Sequence, residues 1–511
     1  MEKMKSVAFK RAGARIETSG HYDVVVVGGG ASGCAAAIAA GRAGAKTLLI
    51  ERFGTVGGLL NVSGPPGWAF SHLWNENGEQ IIGGLVEEIH NCLEKDGKAL
   101  PFPRPEDRCF TSFALIDAEW AGLLLIQMLE ESNVDLLLHS LAVDVIMHGK
   151  SVEGVVVETT NGRMVVYGKV IVEATGEGDI AVRASVPFTK IDRTKEEIDP
   201  PSVAFIMDNV DWDKVTEYYR EHLEELVRFP SIPSKDPRWE RWRTKVLNEF
   251  MKSKSILDIV KRGIYADANF YALSEEAAEN GDLPPRGSDL GFFFTYRDGG
   301  YFSPVFQHTA QAADCDVTDV RELTKAELIC RKNIAMAIRA VKKYLPGFKD
   351  SYCTKVLFCL RGREGRHFTG DYQLTSDDVA EAKKFSDVVA KSAMNTLIGG
   401  PFHSCRYPAE SMNIDPNTRR VIPKNGGSYD IPYRCLVPKN VENLLLAGKL
   451  ISTTEDFKRD SLPENIITGQ AAGVAAALCS QYGITPRELE KDVSELQKIL
   501  QQQGAILYTK Y

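Results

Sequence analysis

Three glycines mark the first place where this chain could do chemistry. Gly28, Gly30 and Gly33 form a G-x-G-x-x-G run. The first glycine permits a tight turn, the second lets backbone approach a pyrophosphate, and the third lets a helix pack closely on a strand. Phosphates would then meet free amides at a helix N-terminus, where the dipole favours anions. Ala31 and Ser32 lie inside the run, and Glu51 stands about twenty residues on, where an acid binds ribose hydroxyls. The alternative for the run is a structural turn without ligand.

The elements that must position these residues flank them. Residues 23–27 read as a buried strand, 34–43 as an Ala-rich helix, and 46–51 as a second strand ending in an acid, which completes a βαβ opening. Residues 54–110 hold Gly57-Gly58 and several prolines without a clear period. They suit either a loop covering a cofactor or a surface excursion. A helix is expected over 117–132 and a strand over 134–139, then short strands over 142–147, 152–159 and 163–167. Asn161-Gly162 between the last two is a hairpin signal. A further strand over 170–172 runs into Ala174-Thr175-Gly176-Glu177-Gly178-Asp179.

From 186 to 430 the texture changes, with aromatic and charged residues interspersed. Thr324 and Glu327 make a capping box that opens a helix running to Tyr344. Residues 232–290, with Trp239 and Trp242, look like an insertion. Rossmann-like texture returns with a strand over 443–447 ending at Gly448, then an Ala- and Gly-rich helix over 463–482 stopped by Gly483. Thr485, Pro486 and Glu488 open the final helix.

The expected architecture is α/β: a Rossmann-like dinucleotide-binding domain, a parallel sheet with a β-meander, discontinuous over 21–185 and 431–511. An α+β substrate or cap domain occupies 186–430, with the insertion near 232–290. A simple NAD domain would continue its βαβ pattern. Here a meander intervenes and a C-terminal strand returns, an order suited to closing around a longer cofactor.

The bulk properties exclude several classes. With 511 residues the chain exceeds one ordinary core. A net charge of -8 without a basic block argues against nucleic acid. No long apolar run suggests a membrane span or a secretory signal, so a cytoplasmic protein is expected. None of the 10 cysteines forms a C-x-x-C pair, and the histidines are scattered, so no metal is expected.

Residues 21–60, 115–190, 355–375 and 430–505 resemble the FAD-dependent oxidoreductases related to fumarate reductase and succinate dehydrogenase flavoproteins, of the two-dinucleotide-motif, glutathione-reductase-2-like type. The resemblance rests on 24–33, Glu51 with Gly57-Gly58, 117–120, 174–179, 363–372, Pro432-Tyr433-Arg434, Ala447-Gly448 and 469–473. It implies that 28–33, Glu51, Arg52, Gly57 and Gly58 hold the ADP half, and that backbone near Ala142 or Val143 meets adenine. It further implies Thr175, Gly176 and Asp179 along the pyrophosphate and ribityl chain, and Gly448, Ile466 and Ile467 at the flavin end. A helix cap is the alternative for Asp179. Arg434 either faces the flavin or its phosphates or makes a strand-end salt bridge. Cys34, on the phosphate-side helix, is poorly placed for covalent attachment, so FAD is expected to be non-covalent.

Candidate catalytic groups cluster at Arg361-Gly362-Arg363-Glu364-Gly365-Arg366-His367. Arginine forks suit a carboxylate or phosphate; a domain-interface ion network is the alternative for Arg363 and Arg366. His367 is a candidate acid or base or a structural histidine, and relatives carry Arg in its place. His403 matches a position where relatives often have His. Two departures narrow the activity. Asp460 stands where relatives carry Arg, which argues against a simple dicarboxylate, and the full Arg and His set of fumarate reductases is not matched. The Gly-Asp-Ala-Ala-His pattern of class A monooxygenases is also missing after Gly448.

The expected function is hydride transfer between flavin N5 and a small polar substrate at the interface of the two domains. One alternative is an electron-transfer subunit working with a partner redox protein; another is a non-redox protein using FAD structurally. A homodimer is expected because closed two-fold assemblies are the commonest.

Overall fold

The computed structural model describes residues 17–63, 70–108, 112–191, 199–228, 237–283, 289–313, 315–394, 396–398, 419–457 and 461–508. Five parallel segments build the main sheet, in the spatial order Val134–Leu137, Thr47–Ile50, Glu17–Val27, Gly162–Glu173 and Leu444–Leu446. Val24 faces Val170 and Leu444 faces Ile171 across this sheet. Ser151–Thr159 and Leu141–His148 extend it as an antiparallel meander.

Gly162–Glu173 is one strand where two short ones are expected. It pairs with Glu17–Val27 along most of its length, while on its other side its first half meets the meander and its last residues meet Leu444–Leu446. The strand runs through Gly168, where a Cβ would stand 2.8 Å from Val25 Cγ2, so glycine serves packing.

Two helices lie together against the parallel core. Ala31–Arg42 and Leu462–Tyr482 approach so closely that a Cβ on Gly469 would fall 2.1 Å from Ser32 O, and one on Gly473 2.0 Å from Ala36 O. Small residues on both helices permit this contact. Almost the whole second helix is buried, which explains why its sequence is apolar all round rather than striped. None of the described helices is long and apolar enough to cross a membrane.

The cap is built on an antiparallel sheet in the order Asp267–Ala268, Phe292–Arg297, Tyr301–Phe306, Phe205–Asp208 and Tyr352–Val356. Phe205, Phe292, Phe294 and Phe306 point to one face and form a buried core with helices Trp212–Glu221, Ile256–Lys261 and Val320–Tyr344. Phe358 N donates to Val62 O at 3.1 Å, Lys355 pairs with Glu119, and Phe113 and Leu115 pack in the aromatic cluster, so the cap meets the first segment at several places.

Three local expectations change. The described residues of 54–110 are neither a loose excursion nor merely a cover: Phe70, Leu73, Trp74, Ile81 and Ile82 are buried in the dinucleotide-domain core beside helix Leu85–Lys95. The span near 232–290 contains helices Pro237–Lys252, Ile256–Lys261 and Tyr271–Glu279, and it supplies Val246, Phe250, Ile256 and Phe270 to the cap core. The long cap helix starts a turn early, because Asp319 accepts from Arg321 N and Glu322 N while Thr324 Oγ1 bonds back to Val320 O inside the helix.

Candidate functional site

The crevice forms where three parallel strands end. Gly28 N donates to Ile50 O, Ala174 N to Val27 O, and Ala447 N to Glu173 O, so the chain turns after 27, 173 and 446 all leave the sheet at one edge. Open α/β sheets place ligands outside the carboxyl ends of their strands.

Each glycine of the first turn has its own task. A Cβ on Gly28 (φ +100°) would lie 2.5 Å from Ala174 O, and one on Gly33 1.8 Å from Gly28 O. Both positions therefore require glycine for packing. Gly30 differs, since a Cβ there meets nothing within 4 Å, although Gly57 and Gly58 close over it from behind. Gly30 caps helix Ala31–Arg42 without any side-chain hydrogen bond, and the first turn carries no acid. The helix thus presents uncapped amides and a positive dipole end to open space.

Glu51 closes the turn. Its buried carboxylate accepts from Gly29 N at 2.6 Å and Phe53 N at 2.8 Å. Burial pushes its pKa up and the two amides pull against that. Arg52 beside it is exposed, with its guanidinium 4.7 Å over the Phe53 ring. Ala142 is buried in the meander, and the register skips Val143, whose carbonyl accepts from Arg183 Nε.

The second turn is anchored by a residue the sequence reading passed over. Glu173, fully buried, accepts from Thr175 N at 2.8 Å, Ile180 N at 2.7 Å and Ala181 N at 2.9 Å. Thr175 Oγ1 accepts from Gly178 N and Asp179 N, both at 3.1 Å. These two side chains satisfy the start of helix Asp179–Arg183, which leaves the Asp179 carboxylate facing outward, 46% exposed. Gly176 (φ +87°) has open space where a Cβ would be. Gly448 (φ +66°) abuts Ser32, with a hypothetical Cβ 2.6 Å from Ser32 Oγ. Ile466 and Ile467 are buried in the first turns of the long C-terminal helix.

The 361–367 run of the cap closes against this crevice. Arg366 donates to Glu177 O at 2.6 Å and pairs with Asp179 at 3.3 Å. Gly365 lies against Glu177, whose carboxylate also meets Lys449 Nζ at 2.7 Å. Arg363 is buried. His367 stands between Thr453 Oγ1 at 3.4 Å and Glu364 at 3.8 Å. Arg361 reaches the cap sheet through Gln307 Oε1 at 3.0 Å. Arg434 is elsewhere committed: its fork grips Asp387 at 2.9 and 3.2 Å, the strand-end salt bridge named above. His403 and Asp460 lie outside the described residues.

One family profile, described as FAD dependent oxidoreductase, matches residues 23–500. The chain belongs to that family. This FAD-dependent oxidoreductase also aligns with solved flavoenzyme structures at low identity. A geranylgeranyl bacteriochlorophyll reductase-like protein from Thermoplasma acidophilum is 13% identical, with a TM-score of 0.41 over 96% of this chain and 83% of the other. The p-nitrophenol 4-monooxygenase PnpA of Pseudomonas putida is 11% identical, with a TM-score of 0.40 over 96% and 87%. The myxobacterial chondrochloren halogenase CndH is 11% identical, with a TM-score of 0.42 over 96% and 84%.

The residues present fit FAD. The helix at Ala31 has no side-chain cap, and the open sides of Gly30 and Gly176 each leave space that an added side chain would fill. Among residues the sequence reading missed, Glu173 left a signal: an acid closing an apolar strand must find amides to accept from. Lys449 and Gln307 left none, because their partners are distant in the chain.

Proposed function

We propose that this flavoenzyme transfers a hydride between flavin N5 and a small polar substrate held where the cap meets the dinucleotide domain. The observation that carries the reading is the docking of the 361–367 run onto Glu177, Asp179 and Lys449, beside the turns that cradle FAD. Bound FAD supplies the hydride chemistry. The chain's own groups orient the substrate and move a proton. Arg363 and Arg366 are assigned to anion recognition, Arg366 being held from behind by Glu177 O. His367, and His403 outside the described residues, are assigned as proton-handling groups. We take 21–185 and 431–511 as the FAD domain and 186–430 as the cap.

Non-covalent FAD, a homodimer and a cytoplasmic location complete the reading. The eight described cysteines are all free thiols, which supports a reducing compartment. The test is anaerobic mixing of the holoenzyme with hydroxy acids, amines and polyols. Bleaching of the flavin band by one class is the expected result. Bleaching by dithionite alone would overturn hydride transfer from these classes and favour electron exchange with a partner redox protein.

A further inference from the structure

Beside the docked cap run stands an ion pair that the assignments above leave without a chemical task. Lys449 Nζ meets Glu177 Oε1 at 2.7 Å, and the two side chains are 21% and 26% exposed. They come from neighbouring turns. Glu177 follows the strand Gly162–Glu173, Lys449 follows Leu444–Leu446, and these strands pair in parallel. The cap lies directly on the pair. A Cβ on Gly362 would stand 3.1 Å from Glu177 Oε1, and one on Gly365 would collide with Oε2 and lie 3.9 Å from Lys449 Nζ.

Stability does not account for the pair. A partly exposed ion pair adds little to folding. This one also leaves Glu177 Oε2 buried without a hydrogen-bond partner, which is unfavourable.

The order of the sheet indicates what lies alongside. Thr47–Ile50, Glu17–Val27, Gly162–Glu173 and Leu444–Leu446 follow one another across it. Glu51 ends the first of these strands, and the Gly28 turn with its uncapped helix ends the second. With the ADP ribose at Glu51 and the pyrophosphate before Ala31, the flavin half of a linear dinucleotide continues over the ends of the next two strands. Glu177 and Lys449 stand at those two ends.

Resting on the function proposed above, we infer that Lys449 and Glu177 set the redox poise of the bound flavin, the ammonium favouring its reduced form and the carboxylate tempering that effect. A hydride brings two electrons and one proton, so accepting it adds one negative charge to the flavin. A fixed cation nearby favours that charge and a fixed anion opposes it. Pairing holds both charges in place beneath the cap glycines.

Equilibrium titration of the holoenzyme with dithionite against a two-electron reference dye tests this. Lys449→Met is expected to shift the equilibrium toward oxidised flavin by at least about tenfold, or about 30 mV for a two-electron couple. Glu177→Gln should shift it the opposite way by a similar factor. Lys449→Arg keeps the charge and should stay close to wild type. Shifts of one sign in both charge-removing variants, no shift in either, loss of FAD from both, or Lys449→Arg behaving as Lys449→Met would overturn the inference. The titration needs no substrate, so failure here is separate from failure of hydride transfer, which is read from bleaching by substrate.

Discussion

Gly30→Val is expected to empty the enzyme of FAD without unfolding it. Gly30 has φ −68° and ψ 179°, an extended backbone that valine adopts readily. A Cβ at this position meets no protein atom within 4 Å. The added methyl groups instead fill the space before the uncapped amides of Ala31–Arg42, where the pyrophosphate would lie. Losing two charge-assisted hydrogen bonds costs about 3 kcal/mol or more. FAD affinity should therefore fall by at least about 100-fold. The check is flavin content and FAD titration of the purified variant, with the apoprotein melting temperature as the control for folding. Gly33→Val is the contrast. Its Cβ would collide with the Gly28 carbonyl, so it should lose fold and flavin together. If Gly30→Val retained wild-type FAD affinity, the cradle would be misplaced.

Glu173→Ala should destabilise the apoprotein by about 3–5 kcal/mol, the scale for stranding partners of a buried charged group. The buried carboxylate accepts from three amides at the junction of three parallel strands. Its loss also frees the 175–179 turn, so FAD binding should weaken alongside stability. Urea unfolding of wild type and variant measures the first effect, and FAD titration measures the second. A change below about 1 kcal/mol would mean that the turn is held chiefly by Thr175 and packing.

The parts legible in the sequence share one property: their causes are local. The Gly28 turn, the helix after it, the Asn161-Gly162 hairpin and the stop at Gly483 are each specified within a few residues, and the structure has them. The parts that were not legible depend on partners far along the chain. Residues 54–110 lack a period because Trp74, Ile81 and Ile82 bury into a core whose other wall comes largely from the C-terminal helix. The span near 232–290 is aperiodic for the same reason, since Asp267–Ala268 is an edge strand that exists only beside Phe292–Arg297. Thr324 illustrates a different failure. It has the chemistry of a cap, but Asp319 takes that role one turn earlier and Thr324 bonds within the helix instead.

The candidate site divides along the same line. Glu51 and its glycines were visible from spacing, whereas the grip of Glu173 on three amides and the reach of Arg361 to Gln307 arise only when strands from different regions meet. Arg434 carried two readings that sequence alone left open, and the fold pairs it with Asp387.

The most direct test of the account is the stoichiometry and attachment of flavin in the purified protein. Acid precipitation followed by chromatography of the supernatant is predicted to release one FAD per chain, with no flavin left on the pellet. An absence of flavin even after incubation with FAD, or flavin that stays with the precipitated chain, would contradict a non-covalent cradle built on Gly30, Glu51, Gly176 and Gly448.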